Sequence, residues 1–81
     1  MIELFQNVAL TRDLPEHDLK RGDTAVLIDR VPHPTGGAPG CLLEVFNAVG
    51  QSLKVIAVPV DGIEALREDE ILAVRPLAAV A

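Results

Sequence analysis

The chain has no tryptophan and no tyrosine, and its 81 residues include only two phenylalanines, Phe5 and Phe46. Aromatic platforms on which bases could stack are therefore scarce, which argues against recognition of RNA or single strands. Basic residues are few as well. Seven Lys and Arg stand against twelve Asp and Glu, for a formal net charge of −5. A surface of that sign repels a phosphate backbone, so nucleic acid is disfavoured as a partner. The single cysteine, Cys41, cannot close an intramolecular disulfide, which fits a reducing compartment. No apolar run approaches the ~20 residues of a membrane helix, and Met1-Ile2-Glu3-Leu4-Phe5 carries an acid where a secretory leader would carry basic residues. A soluble, cytoplasmic protein with no membrane segment is the expectation.

What the chain does have is aliphatic weight. Hydrophobic residues make up 49% of it, and with so few aromatics the core must come from Val, Leu, Ile and Ala. Eighty-one residues form one domain. A domain of this size buries only ~60% of its unfolded surface, so the aliphatic content exceeds what one thin core absorbs. The surplus implies burial against another chain.

The strongest local signal is at residues 19–31. A polar turn, Lys20-Arg21-Gly22-Asp23, runs into Thr24-Ala-Val-Leu-Ile-Asp-Arg-Val31. Gly22 suits positive φ and Asp23 suits a local backbone hydrogen bond, so turn then strand is the reading. Both faces of that strand carry aliphatics, and its inward face stays open. Upstream, Asn7 to Thr11 reads as a strand, and Pro15 opens a single helical turn over about 15–18. Residues 32–40 hold three prolines and three glycines and form a loop. Cys41 to Phe46 is a second long strand with Leu43 and Val45 inward. In Ser52 to Val60, taking Lys54 as solvated turns Leu53, Val55 and Ala57 inward and leaves Ile56 and Val58 on the opposite face. Pro59 places that end of the strand at an edge or bulge. Residues 63–69 are expected to form a short helical turn within an acidic stretch. Ile71 to Arg75 is expected to be the closing strand, ended by Pro76. The expected core is Val8, Leu10, Leu19, Leu27, Leu43, Val45, Val55 and Val74.

The series Val8-Ala-Leu-Thr, Asp13-Leu-Pro, Leu19-Lys-Arg-Gly-Asp-Thr-Ala-Val-Leu-Ile-Asp and Leu72-Ala-Val-Arg-Pro-Leu77 resembles a family of short bacterial proteins catalogued only as a domain of unknown function. Its members typically show Leu-x-x-Gly-Asp-x-Gly entering a valine-rich strand. The resemblance implies an all-β, SH3-like small barrel of about five strands with one or two short helical turns, spanning residues 1–81 as a single domain. Ala25 stands where the family has its second glycine, and residues 61–70 look like an insertion. The family brings no catalytic residues.

Chemistry-bearing patterns are weak. His17, His33 and Cys41 lack an orienting third group for nucleophilic catalysis and lack zinc-type spacing. Glu68-Asp69-Glu70 are consecutive and splay around a turn, without the alternating acids of a calcium loop. Gly36-Gly37 is followed by no Lys-Ser or Lys-Thr, so it is not a phosphate loop. Arg21-Gly22-Asp23, the adhesion tripeptide, is explained by turn chemistry. The expectation is a protein with no catalytic residue, metal or cofactor. It would act as a non-enzymatic interaction module that binds a protein partner or itself, or as the inhibitor or accessory half of a two-gene pair. The candidate partner-binding residues are Ile56, Val58, Leu77 and Val80. The alternative is a nucleic-acid-binding small barrel using Lys20, Arg21, Arg30 and Lys54.

Overall fold

The structure, a computed structural model, describes residues 2–32, 35–37 and 39–77. Five strands form one antiparallel sheet: β1 (Asn7–Leu10), β2 (Thr24–Val31), β3 (Gly40–Phe46), β4 (Ser52–Pro59) and β5 (Ile63–Ala65). Their order across the sheet is β4-β3-β2-β1-β5, so β1 is shared between the meander of longer strands and the short β5. Two 3-10 turns, Pro15–His17 and Val60–Gly62, are the helical content of the described residues. The all-β architecture of about five strands is thus as the sequence implies.

The turns form where the sequence supplies their chemistry. At residues 20–23 the Lys20 N–H donates to Asp23 Oδ2 at 2.7 Å, while Gly22 takes φ of +89°. The same turn is tied to β1, since Gly22 N–H donates to the Leu10 carbonyl and Leu10 N–H to that of Asp23, both at 2.9 Å. Asn47 closes the β3–β4 turn: its Oδ1 accepts from the Val49 and Gln51 amides, and Gly50 takes φ of +83°. Each turn residue satisfies backbone groups that the strands leave behind.

One face of the sheet carries the core. Val8 and Leu10 from β1, Ala25 and Leu27 from β2, and Cys41, Leu43 and Val45 from β3 are buried together with Ile56, Val58, Ile63 and Leu19. Six of the eight expected core residues are in that cluster. The other two are corrections: Val55 is 53% exposed and Val74 92% exposed.

The β4 correction has a local cause. Register pairs Leu43 with Ile56 and Cys41 with Val58, so Ile56 and Val58 face the core, whereas Val55 and Ala57 face out. Lys54 pairs with Val45 and so stands on the inner row. Its stem runs along the core margin, and its Nζ donates to the His17 carbonyl at 2.9 Å. Reading Lys54 as an outward marker therefore inverts the strand. In β2 a register irregularity between Leu27 and Asp29 lets Ala25 and Leu27 point inward while Asp29, two residues on, still reaches solvent.

The fifth strand also lies elsewhere than expected. Ile63–Ala65 pairs with β1, with Ile63 opposite Leu10, so the expected helical turn at 63–69 does not form. The 3-10 turn before it is held by the Thr11 hydroxyl donating to the Asp61 carbonyl at 2.9 Å and the Thr11 amide to that of Gly62 at 3.0 Å. β1 takes its neighbour from the first residues the chain offers after that turn. Residues 71–75 are accordingly not a strand.

Candidate functional site

The residues with reactive side chains are not brought together. Cys41 is buried in the core, where burial pushes its thiol up despite the opposing charge of Arg30. His17 lies on the first 3-10 turn, and its carbonyl is occupied by Lys54. His33 lies outside the described residues. Among the described residues there is no group of three or more His, Cys, Asp or Glu placed to hold a metal ion, and no helix long and apolar enough to cross a membrane. Of the basic side chains considered for nucleic acid, Lys20 and Arg21 sit in the turn before β2, whereas Arg30 sits near its far end. At ~3.3 Å per residue the six steps from Thr24 to Arg30 separate these by roughly 20 Å.

What the structure does assemble is an arm. After β5 the chain turns at 67–70, where Glu70 Oε1 accepts the Arg67 amide at 2.6 Å. Residues 71–77 then continue without regular structure. Ile71 is 93% exposed, Leu72 68% and Val74 92%. Among the described residues, none of the backbone groups from 71 to 77 bonds to another backbone group.

A single side chain fixes this arm to the sheet. Arg75 donates from Nε to Asp23 Oδ1 at 3.0 Å and from Nη2 to Asp23 Oδ2, forming a two-pronged pair. The same guanidinium donates to the carbonyls of Asp18, Pro76 and Leu77. Burial pushes the Asp23 carboxyl up, but the Arg75 hydrogen bond, the Lys20 amide and the charges of both basic residues outweigh it. The carboxyl is left below its ordinary value. Arg75 is correspondingly raised by the Asp23 hydrogen bond, against some desolvation.

Between the arm and the β3–β4 end of the sheet lies an open groove of about 730 Å³. Leu19, Val45, Phe46 and Leu53 line it together with Ile71 to Arg75 and Leu77. Lys20 and Arg21 lie on its rim. The candidate partner-binding residues fare unevenly. Ile56 and Val58 are core residues and offer no exposed face, Leu77 lines the groove, and Val80 is outside the described residues. Asp23, Ile71, Leu72 and Val74 were not among those candidates. The signal for them was the Arg75-Pro76 pair: a proline that blocks ladder formation beside the only arginine of an otherwise apolar stretch.

The described residues thus form a small antiparallel β domain with a buried thiol, basic groups at the two ends of β2 and an exposed apolar arm. The chain belongs to the family described as "Domain of unknown function (DUF4926)", whose model matches residues 4–65. Neither the comparison with curated proteins nor that with solved structures gives a match. The family match ends at Ala65, the last residue of β5. The Leu72–Leu77 stretch that contributed to the resemblance therefore lies beyond it.

Proposed function

We propose that the chain is a non-enzymatic protein-interaction module of a cytoplasmic, bacterial type, with the arm and the adjoining groove as its contact surface. The β4-β3-β2-β1-β5 meander, entered through the Gly22-Asp23 turn, is read as an SH3-like small barrel that serves as the platform. The observation that carries the functional reading is the display of Ile71, Leu72 and Val74. They are mostly exposed, and Arg75 ties the stretch that carries them to the Asp23 turn. Burying an aliphatic side chain of that size is worth roughly 1.5–3 kcal/mol, so three left in water represent free energy that a partner can recover. The negative net charge and the separation of Arg30 from Lys20 and Arg21 weigh against a nucleic-acid surface.

A photo-cross-linking residue in place of Val74, expressed in the native cell, tests this. Protein adducts at position 74, absent when the same residue replaces Thr35 in the β2–β3 loop, are expected. Adducts to RNA in their place would support the nucleic-acid alternative. An absence of any adduct would overturn the assignment of the arm.

A further inference from the structure

On the footing of the interaction module just described, the chemistry of its partner can be taken one step further. We propose that the 18–23 turn is a recognition site for an arginine followed by proline and an apolar residue, carried by a partner protein. The chain's own Arg75-Pro76-Leu77 occupies that site in the partner's place.

The site is defined by what it holds. An arginine offers five N–H donors in a rigid planar fork. In Arg75 the Nε–H donates to Asp23 Oδ1 at 3.0 Å, and Nη2 donates to Asp23 Oδ2 and, at 3.2 Å, to the Asp18 carbonyl. Nη1 turns back to the carbonyls of Pro76 and Leu77, at 2.7 and 3.0 Å. Three bonds are thus made to the domain and two to the residues that follow the arginine. The whole fork is satisfied, a match that the compact ammonium of a lysine does not reproduce. Proline at the next position has its φ fixed in advance, which lowers the cost of folding those carbonyls back on the guanidinium.

The acceptors belong to the domain, and their placement does not depend on the arm. Asp18 closes the Pro15–His17 turn in the left-handed conformation, φ +57°, with its amide donating to the Pro15 carbonyl. Asp23 accepts the Lys20 amide, a bond internal to the 20–23 turn. Between them Leu19 is buried in the core and exchanges backbone hydrogen bonds with Leu14. All of these residues lie within 4–65, the stretch that the family model matches, whereas Arg75-Pro76-Leu77 lies beyond it. An acceptor set built by the domain and filled from outside it is the arrangement of a receptor with a tethered stand-in for its ligand.

Charge points the same way. Lys20 and Arg21 stand on the turn, and Asp13, Asp18 and Asp23 flank or belong to it, Asp13 Oδ1 accepting the Arg21 amide at 2.8 Å. Two bases against three acids leave one negative charge for a guanidinium to neutralise. The charges of both Asp23 and Asp18 favour the charged form of Arg75. The groove of about 730 Å³ beside the turn gives the rest of a ligand a place to lie. Leu19, Val45, Phe46 and Leu53 line it with Leu77, the apolar residue of the stand-in.

The probe is the sequence of residues 73–77, Ala-Val-Arg-Pro-Leu, as an acetylated peptide amide. It is titrated into the isotope-labelled full chain carrying Arg75→Ala, a variant that vacates the site, and followed by NMR. The Lys20 and Asp23 amides should shift saturably with a Kd of about 1 mM or below, the weak range of a single short anchor. Wild type should bind the peptide at least about fivefold more weakly, because a short tether keeps Arg75 at a millimolar effective concentration. The same peptide with lysine for arginine should bind at least about tenfold more weakly than its parent, since the two-pronged contact is lost. Asp23→Asn combined with Arg75→Ala should abolish binding of the parent peptide. If Arg75→Ala no longer folds by circular dichroism, the arginine is a strut of the domain and not an exchangeable occupant, and the proposal is overturned. Absence of saturable shifts up to about 5 mM peptide overturns it as well. So does equal binding by wild type or by the lysine peptide. Protein adducts at position 74 together with a silent titration overturn arginine recognition alone and leave the interaction module standing.

Discussion

Two adjacent residues of β4 provide the sharpest test of the fold. Ile56 is 4% exposed and lies opposite Leu43, whereas Val55 is 53% exposed on the other face of the sheet. Ile56→Lys removes an aliphatic burial worth roughly 1.5–3 kcal/mol. It also brings an ammonium toward a core whose described residues include no buried polar or charged side chain. Keeping the lysine neutral at pH 7 would require a pKa depression of about three units, or roughly 4 kcal/mol. The combined cost, about 6 kcal/mol, is comparable with the whole stability of a domain this size, which scales to roughly 4–12 kcal/mol. Val55→Lys moves the same charge by one residue and should change stability by no more than about 0.5 kcal/mol.

The assay follows from the composition. Without Trp or Tyr the intrinsic fluorescence is uninformative, so urea unfolding must be followed by far-UV circular dichroism. Ile56→Lys should be unfolded, or nearly so, in the absence of urea, and Val55→Lys should share the wild-type midpoint. Since β4 is an edge strand, a lysine at 56 has a route to solvent by local fraying. Ile56→Ala closes that route and should still cost about 2–5 kcal/mol. Equal midpoints for the Ile56 and Val55 variants, or a greater loss at Val55, would refute the register of β4 against β3.

Leu43, fully buried at the centre of β3, should lose about 2–5 kcal/mol on truncation to Ala in the same urea titration. Replacing residues 32–39 by Asn-Gly should leave a folded sheet by circular dichroism, because Val31 and Gly40 are the last pair of the β2–β3 ladder and a two-residue turn closes such a ladder. Cys41, buried with its thiol raised by desolvation, should react with a thiol reagent far more slowly in the native protein than in urea, and faster as pH rises. The latch between Asp23 and Arg75 should be intact above the ordinary carboxylate range and lost as pH falls through the lowered value of Asp23. The Arg75 Nε–H resonance in NMR reads this directly, and Asp23→Asn should remove the acid transition.

How much of this was legible beforehand differs from strand to strand for identifiable reasons. β3 was readable because Glu44 truly alternates with Leu43 and Val45. β4 was not, because alternation supplies two answers and the charged residue chosen to decide between them, Lys54, has a stem long enough to stand on the inner row and reach a carbonyl beyond it. β2 left its face open, and the irregularity after Leu27 explains why: no single phase fits both Leu27 inward and Asp29 outward. For the last strand, Ile63-Glu-Ala and Ile71-Leu-Ala-Val are both plausible. Periodicity cannot weigh the Thr11 bonds that hold the chain against β1 just before Ile63. The arm followed from that choice, whereas Ile56 and Val58 were read as exposed because β4 was inverted.

Asp23 shows why the arm can be both attached and separable. Within the domain its Oδ2 caps the 20–23 turn through the Lys20 amide, a bond that needs nothing beyond residue 23. Both of its oxygens are engaged by Arg75, which lies beyond the stretch that the family model matches. If the arm lifts, the turn keeps its cap and Oδ1 passes to water, since the side chain is already partly exposed. Ile71, Leu72 and Val74 are themselves mostly exposed. Detachment breaks the two-pronged, partly buried pair with Asp23 and the bond to the Asp18 carbonyl. On the proposed reading of the arm as a contact surface, burial of its three aliphatic side chains would offset the loss of this latch. The same carboxylate that fixes the turn before β2 thus sets how readily the arm is released.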